Sequence, residues 1–357
     1  MYEKMSERIL KKEDMNKFYG AVSKTYKFYG PVREKGNIIF KEISNPEDLV
    51  LDYFNSKIPP KEIVLPRTET LFEYEMKGND IIINDNVVPD EKVLLFGIRP
   101  CDAYSFTLLE TFFKEGKYQD DLFIKRRKNT TLIGIGCNEP KSTCFCTSVN
   151  THPHDKENVD VFLTDLKDKY LVVPISEKGK DLVKDLNWLE KATEKDLEKA
   201  LKLSETAELS IKTKLDLKDL HEFLMKNFDS ELWKESSQSC IGCGTCAFLC
   251  PTCSCFDVID EEDKYNNRGR RVRVWDTCQF CIYTLHTSGH NPRPGRIQRF
   301  RNRILHKFSY YPIKQGLIGC VGCGRCIQYC PVNNDLRKII NKFNELKNKE
   351  KEEMVVA

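Results

Sequence analysis

The 357-residue sequence holds no apolar run approaching the roughly 18 residues that cross a bilayer, and its first stretch, Met1 to Tyr19, is charged. Neither a membrane span nor a secretory leader is expected, and the chain reads as cytoplasmic. Charge of one sign is lacking too: the formal net charge is +3, so bulk electrostatics demand no particular partner and any charge argument must be local. No GxGxxG turn follows a strand-like run, no nucleotide-binding lysine motif occurs, and the 6 histidines form no set that would hold a haem. These absences argue against a flavin or nicotinamide site in this chain. His152-Pro153-His154 invites a metal reading, but two histidines near a turn are expected to face solvent.

Cysteine is what the chain has in abundance, 16 residues in all. Disulfide scaffolds belong to short secreted chains, so thiols in a chain of this length are expected to be metal ligands in a reducing compartment. Twice the sequence reads CxxCxxCxxxCP: Cys240, Cys243, Cys246, Cys250, Pro251, and then Cys320, Cys323, Cys326, Cys330, Pro331. This is the spacing of bacterial ferredoxins, in which three cysteines hold one 4Fe-4S cube and the fourth, fixed by proline, reaches the partner cube. One cluster is therefore expected on Cys240, Cys243, Cys246 and Cys330, and a second on Cys320, Cys323, Cys326 and Cys250. Zinc sites also use CxxC pairs, but they explain neither the third cysteine of each run nor the Cys-Pro endings.

The length prior suggests two domains. Upstream, Glu62-Ile-Val-Leu and Thr70-Leu-Phe-Glu-Tyr read as short strands, and Val93-Leu-Leu-Phe-Gly-Ile and Thr131-Leu-Ile-Gly-Ile-Gly as strands buried on both faces. Tyr104 to Phe113 has helical apolar spacing, with Asp102 able to cap its first turn. If the two buried strands are parallel neighbours, Cys101 and Cys137 stand together at the carboxyl edge of the sheet, where α/β folds place ligands. With Cys144 and Cys146 they make a third four-thiol set, expected to hold a third 4Fe-4S cluster. Val159 to Leu166 and Tyr170 to Ile175 read as a hairpin. Beyond Ser176 come charged helices, with Leu182, Leu186 and Leu189 on one face and a Thr193–Asp196 capping box.

The expected fold is thus an α/β domain with a largely parallel sheet over residues 1–229, including a charged helical cover at about 177–229. It is followed by a mainly α-helical ferredoxin-like dicluster domain over 230–340 and a charged tail, 341–357. The 69 residues between Cys250 and Cys320 are expected to form helices and loops around the clusters. They carry Cys253, Cys255, Cys278 and Cys281, either a fourth cluster or thiols beside the others that bond no iron. From Thr277 to Asn334 there are eight basic residues, Arg293, Arg296, Arg299, Arg301, Arg303, Lys307, Lys314 and Arg325, and no acidic one. They can offset anionic clusters, steer an acidic redox partner, or grip nucleic acid. Their position among thiol ligands favours the first two.

Taken together, Ile98-Arg-Pro-Cys-Asp, Cys144-Phe-Cys, Cys250-Pro-Thr-Cys-Ser-Cys, Arg273-Val-Trp-Asp-Thr-Cys-Gln-Phe, Gly289-His-Asn-Pro-Arg-Pro, Arg299-Phe-Arg-Asn-Arg and Cys320-Val-Gly-Cys-Gly-Arg-Cys resemble a family. It comprises iron-sulfur subunits such as that of anaerobic sulfite reductase and the beta subunit of cytoplasmic nickel-iron sulfhydrogenases. The resemblance spans most of the chain. It implies a non-catalytic subunit that relays electrons between a flavin- and NAD(P)-binding diaphorase-like subunit, or a ferredoxin, and a catalytic subunit carrying siroheme or nickel-iron. With no apolar span and no nucleic-acid module in the sequence, no membrane or nucleic-acid partner is expected. Cys281 departs from the family pattern, in which a non-cysteine residue is expected there. Two rival readings are a stand-alone iron-sulfur reductase with a substrate-binding cluster near Cys101, and a nucleic-acid-binding iron-sulfur protein.

Overall fold

The computed structural model describes residues 7–85, 88–263 and 265–356; residues 1–6 of the expected first domain and residue 357 of the expected tail lie outside the described residues. The chain visits two units alternately. One comprises Met1–Lys141, Thr151–Ile211 and Asp257–Val274, and the other Ser142–Asn150, Lys212–Phe256 and Trp275–Ala357. The sequence alone suggests a single boundary, near Asp229.

The first unit is built on strands β1 (Arg8–Lys11), β2 (Lys27–Glu34), β3 (Asn37–Glu42), β4 (Thr68–Lys77), β5 (Asp80–Asn84), β6 (Val93–Ile98), β7 (Thr130–Ile135), β8 (Val161–Asp165), β9 (Lys169–Pro174), β10 (Glu190–Lys191), β11 (Phe256–Asp263) and β12 (Arg268–Trp275). Its helices are α1 (Met15–Val22), α2 (Pro100–Phe113), α3 (Asp121–Asn129), α4 (Glu177–Asp185) and α5 (Glu194–Ser210). The large sheet runs β10-β1-β9-β8-β7-β6-β2-β3. β2, β6, β7 and β8 are parallel neighbours, whereas β3, β9, β1 and β10 join antiparallel. The sheet is therefore mixed where a largely parallel one was expected. At one edge the cause is local: Lys35 and Gly36 both take positive φ, a two-residue turn that returns β3 antiparallel beside β2.

The apolar runs behave as their composition dictates. Leu94 and Phe96 of β6 enter one core, with Phe18, Val22 and Leu182, while Leu95 and Ile98 enter the other, with Phe106, Leu109 and Phe123. Such alternation buries both faces, and each fully buried large side chain contributes about 1.5–3 kcal/mol. Gly97 at φ +78° shifts the register by one residue, which is how Ile98 falls on the same side as Leu95. The 159–175 hairpin forms as β8 and β9, and the Thr193–Asp196 capping box is present at the start of α5. Glu62-Ile-Val-Leu is not a strand: Pro60 pre-sets a 3-10 turn over Pro60–Ile63. Asp102 is buried within α2, whose N-cap is Arg99 with Pro100 following.

A second sheet, β11-β12-β4-β5, corrects the helical expectation for the 250–320 insertion. β12 pairs with β4 from Arg268↔Glu75 to Val274↔Thr68, and β11 lies on its other side. Buried Arg273 pins this sheet through Glu69, at 2.9 Å from its Nε, and Asp120. Burial and the adjacent Arg273 bring the Arg126 guanidinium, also paired with Glu69, down to about 10.

The second unit contains helices α6 (Leu220–Lys226), α7 (Leu232–Ser237), α8 (Thr245–Phe248), α9 (Arg296–Leu305), α10 (Tyr311–Gln315), α11 (Arg325–Gln328) and α12 (Leu336–Val356), with a π-helical segment, His306–Tyr310, between α9 and α10. Its core gathers Trp233, Phe300, Ile304, Phe308, Ile340 and Phe343. Trp233 satisfies its indole N–H on Asn227 O at 2.9 Å and packs on Phe343.

Candidate metal centre

Both cysteine runs fold alike, entirely within the second unit. In the first, Gly242 and Gly244 take φ of +70° and +75° before the single turn of α8, and in the second Gly322 and Gly324 take +62° and +74° before α11. The left-handed backbone folds each loop back on itself and turns amides toward sulfur. Gly242 N donates to Cys240 Sγ at 3.4 Å, Gly322 N to Cys320 Sγ at 3.5 Å, and Asn334 N to Cys330 Sγ at 3.2 Å. Amide hydrogen bonds to a thiolate stabilise its charge and tune a cluster it binds.

The fourth cysteine of the second run joins the first run. Cys240, Cys243, Cys246 and Cys330 line one cavity of about 50 Å³, with Arg303 beside them and Cys326 of the other set also on its wall. Cys250, Cys320, Cys323 and Cys326 lie within electrostatic reach of one another: burial pushes the Cys320 thiol up to about 12, with Cys250 and Cys323 adding to it, and burial likewise raises Cys326. The hydrogen bond from Cys253, then Lys307 and Arg303, hold the Cys250 thiol well below its usual range. Iron deprotonates such thiols outright, and a buried cation beside a thiol set suits a bound group of negative charge. The donor chemistry of both sets therefore fits 4Fe-4S clusters. Among the described residues, no three or more His, Cys, Asp or Glu side chains close around a point as ligands of a single ion would.

Each loop is backed by another cysteine-bearing segment. Against the first lies Thr277-Cys-Gln-Phe: a Cβ at position 244 would come within 2.8 Å of Thr277 and 3.2 Å of Phe280. Gln279, which also lines the cavity, is buried and hydrogen-bonds Arg299 O at 3.1 Å. Here Cys255 accepts hydrogen bonds from Cys278 and Tyr283, and Cys253 Sγ lies 3.5 Å from Arg303 Nη1, while Cys281 is exposed. Against the second loop lies Thr143-Cys-Phe-Cys, whose Phe145 N donates to Gly322 O at 2.9 Å. Sequence reasoning misses Gln279 as a site residue, although the Asp-Thr-Cys-Gln-Phe motif is a signal for it.

The 4Fe-4S dicluster domain model matches residues 239–334, a span containing both runs. Sulfhydrogenase 2 subunit beta of Pyrococcus furiosus is 32% identical over 337 residues, covering 94% of this chain and 98% of that protein. The chain belongs to the iron-sulfur hydrogenase beta-subunit family. No solved structure matches it.

Outside the two runs, this beta-subunit homologue holds further thiols. Cys101 begins α2 and Cys137 follows β7, at the carboxyl ends of adjacent parallel strands in the first unit. Arg99 crosses between these strand ends, donating to Gly136 O at 2.6 Å, under a stacking contact with Tyr53. Cys144 and Cys146 belong to the second unit. His154 does not face solvent as expected: it is 3% exposed, lies over Gly136, and burial lowers it to about 4. The small Gly136 leaves room for the ring, which the spacing of His152-Pro-His could not reveal. Among the described residues no helix is long and apolar enough to cross a membrane.

Proposed function

We propose that this chain is an electron-relay subunit of a hydrogenase-type complex, with one 4Fe-4S cluster on Cys240, Cys243, Cys246 and Cys330 and a second on Cys250, Cys320, Cys323 and Cys326. The observation that carries this reading is the cavity in which the three leading thiols of the first run meet Cys330, the last of the second, with Cys326 also on its wall. Clusters so held supply single-electron redox levels, and no bond of a substrate is made or broken. The protein's part is to hold the thiolates, to donate amide hydrogen bonds to them, and to exclude water with Phe300, Ile304, Leu336 and Ile339. Cys101, Cys137, Cys144 and Cys146 stand as a third cluster on sequence grounds, and Cys253, Cys255 and Cys278, with exposed Cys281, as a fourth site or as thiols beside the others.

The partners we infer are a flavin- and NAD(P)-binding subunit, or a ferredoxin, on one side and a nickel-iron catalytic subunit on the other, in the cytoplasm. The name of the Pyrococcus relative favours hydrogenase over sulfite reduction. Iron and acid-labile sulfide in anaerobically prepared full-length chain test the core of this reading. About eight irons per chain are expected from two clusters and about twelve from three, with paramagnetic signals after dithionite. Zinc without labile sulfide overturns it. Nickel, rather than siroheme, is expected in the native complex.

A further inference from the structure

Arg303, in α9, and Lys307, in the π-helical segment, are 6% and 4% exposed. They stand four residues apart on continuous helix, where like charges repel, and burying either without a facing anion is strongly unfavourable. Yet among the described residues neither is paired with a carboxylate. Arg303 Nη1 lies 3.5 Å from Cys253 Sγ, and Lys307 Nζ donates to Thr252 Oγ1 at 2.8 Å and to Gly319 O at 3.1 Å. No acidic residue occurs anywhere from Thr277 to Asn334. What the two cations do face is sulfur, and they face it differently. Arg303 lines the cavity that Cys240, Cys243, Cys246 and Cys330 share with Cys326, so it stands beside thiols of both sets. Lys307 stands behind the second set: the Thr252 hydroxyl it donates to lies 3.3 Å from Cys250 Sγ, and the Gly319 carbonyl it also donates to precedes Cys320.

We propose that Arg303 is a counter-charge shared by both clusters and Lys307 one dedicated to the cluster of Cys250, Cys320, Cys323 and Cys326, each raising the potential of what it faces. The proposal rests on the two-cluster reading above. Reduction adds one negative charge to a thiolate-bound cluster, so a fixed cation in a dry surrounding stabilises the reduced form more than the oxidised one. The difference in placement makes the two cations separable. Loss of Arg303 weakens both clusters as electron acceptors, and loss of Lys307 weakens one.

The test is a redox titration followed by paramagnetic resonance on full-length Arg303→Gln, Arg303→Lys and Lys307→Gln chains, after iron and sulfide have been counted. Arg303→Gln is expected to lower the reduced-to-oxidised ratio of both clusters at fixed potential by roughly tenfold, about 59 mV for one electron. Arg303→Lys, which keeps the charge, restores most of the ratio. Lys307→Gln shifts only the signal that Cys320→Ser removes. Full iron content with unshifted midpoints in Arg303→Gln overturns the proposal, as does a midpoint in Arg303→Lys displaced as far as in Arg303→Gln. If Arg303→Gln binds no iron, a wild-type-like midpoint in Arg303→Lys still supports it, and failure of Arg303→Lys to bind iron overturns it. Absence of labile sulfide from the unsubstituted chain sinks the two-cluster reading instead, so the two failures are distinguishable.

Discussion

The two cysteine loops share spacing, paired left-handed glycines and a one-turn helix, yet they sit in different surroundings. The first lies near the surface: Ile241 is 61% exposed and Cys243 is exposed. The second is enclosed: Cys320 and Arg325 are buried, and a Cβ at Gly322 would come within 2.4 Å of Cys146 N. The same backbone motif thus leaves one thiol of the first set, Cys243, exposed, whereas in the second set Cys250 and Cys320 are buried and Cys323 and Cys326 half-buried. Burial disfavours the charge gained on reduction, whereas amide donors and cations favour it. On the two-cluster reading, the difference in surroundings would give a relay two unlike stations built from one repeat.

The strongest way to break this comparison is to separate run from cluster. Cys330 belongs to the second run but lines the cavity of the first three cysteines. Cys330→Ser is therefore expected to lose about four irons and the same paramagnetic signal that Cys243→Ser loses, while Cys250→Ser loses the other. If Cys330→Ser instead matched Cys323→Ser, each run would hold its own cluster and the exchange of fourth ligands would be wrong.

Next in size is the price of a methyl group in each loop. At Gly242 an added Cβ meets only Gln279 O at 3.5 Å, so Gly242→Ala carries the left-handed penalty alone, about 1–2 kcal/mol. At Gly322 the same penalty is joined by overlap with the backbone of Phe145 and Cys146, and overpacking adds about 1–3 kcal/mol. Gly322→Ala should therefore destabilise the protein markedly more than Gly242→Ala in anaerobic denaturant unfolding. Equal losses would mean that the Ser142–Asn150 segment yields, and that the second loop is no more enclosed than the first.

Much of this was legible because it is local. The CxxCxxCxxxCP spacing fixes which thiols share a loop, the Cys-Pro endings point each fourth ligand outward, and the capping box at Thr193 is written in four consecutive residues. The apolar runs at Val93 and Thr131 announced strands buried on both faces, and their parallel adjacency followed from the helix between them. What escaped depends on partners far along the chain. Nothing near Val272 says that β12 will pair with β4, about two hundred positions earlier, and the place of these residues between cysteines suggested cluster-bound helices instead. The Ser142–Asn150 excursion into the second unit depends on two glycines at 322 and 324 that leave room for it. His154 is buried because Gly136 has no side chain, a fact carried by a neighbour in space.

The finest distinction between the loops lies at the residue after the second glycine. In the first loop it is Thr245, whose Oγ1 lies 3.4 Å from Cys243 Sγ; in the second it is Arg325, buried at 1% exposure. A thiolate at Cys243 makes that hydroxyl a donor, and because Cys243 is exposed, solvent screens the bond down to about the 0.5–1.5 kcal/mol of an ordinary hydrogen bond. Because it favours the more negative form, Thr245→Val should lower the reduced fraction of the first cluster at fixed potential by about threefold, the lower end of that range. Stability should change by no more than about 0.5 kcal/mol, since the shape is nearly kept and the site is not sealed. The second cluster, which lacks a hydroxyl at this position, serves as the internal reference in the same titration. An equal shift in both signals would show that the hydroxyl acts through the shared interior, and would remove the claim that each loop tunes its own cluster.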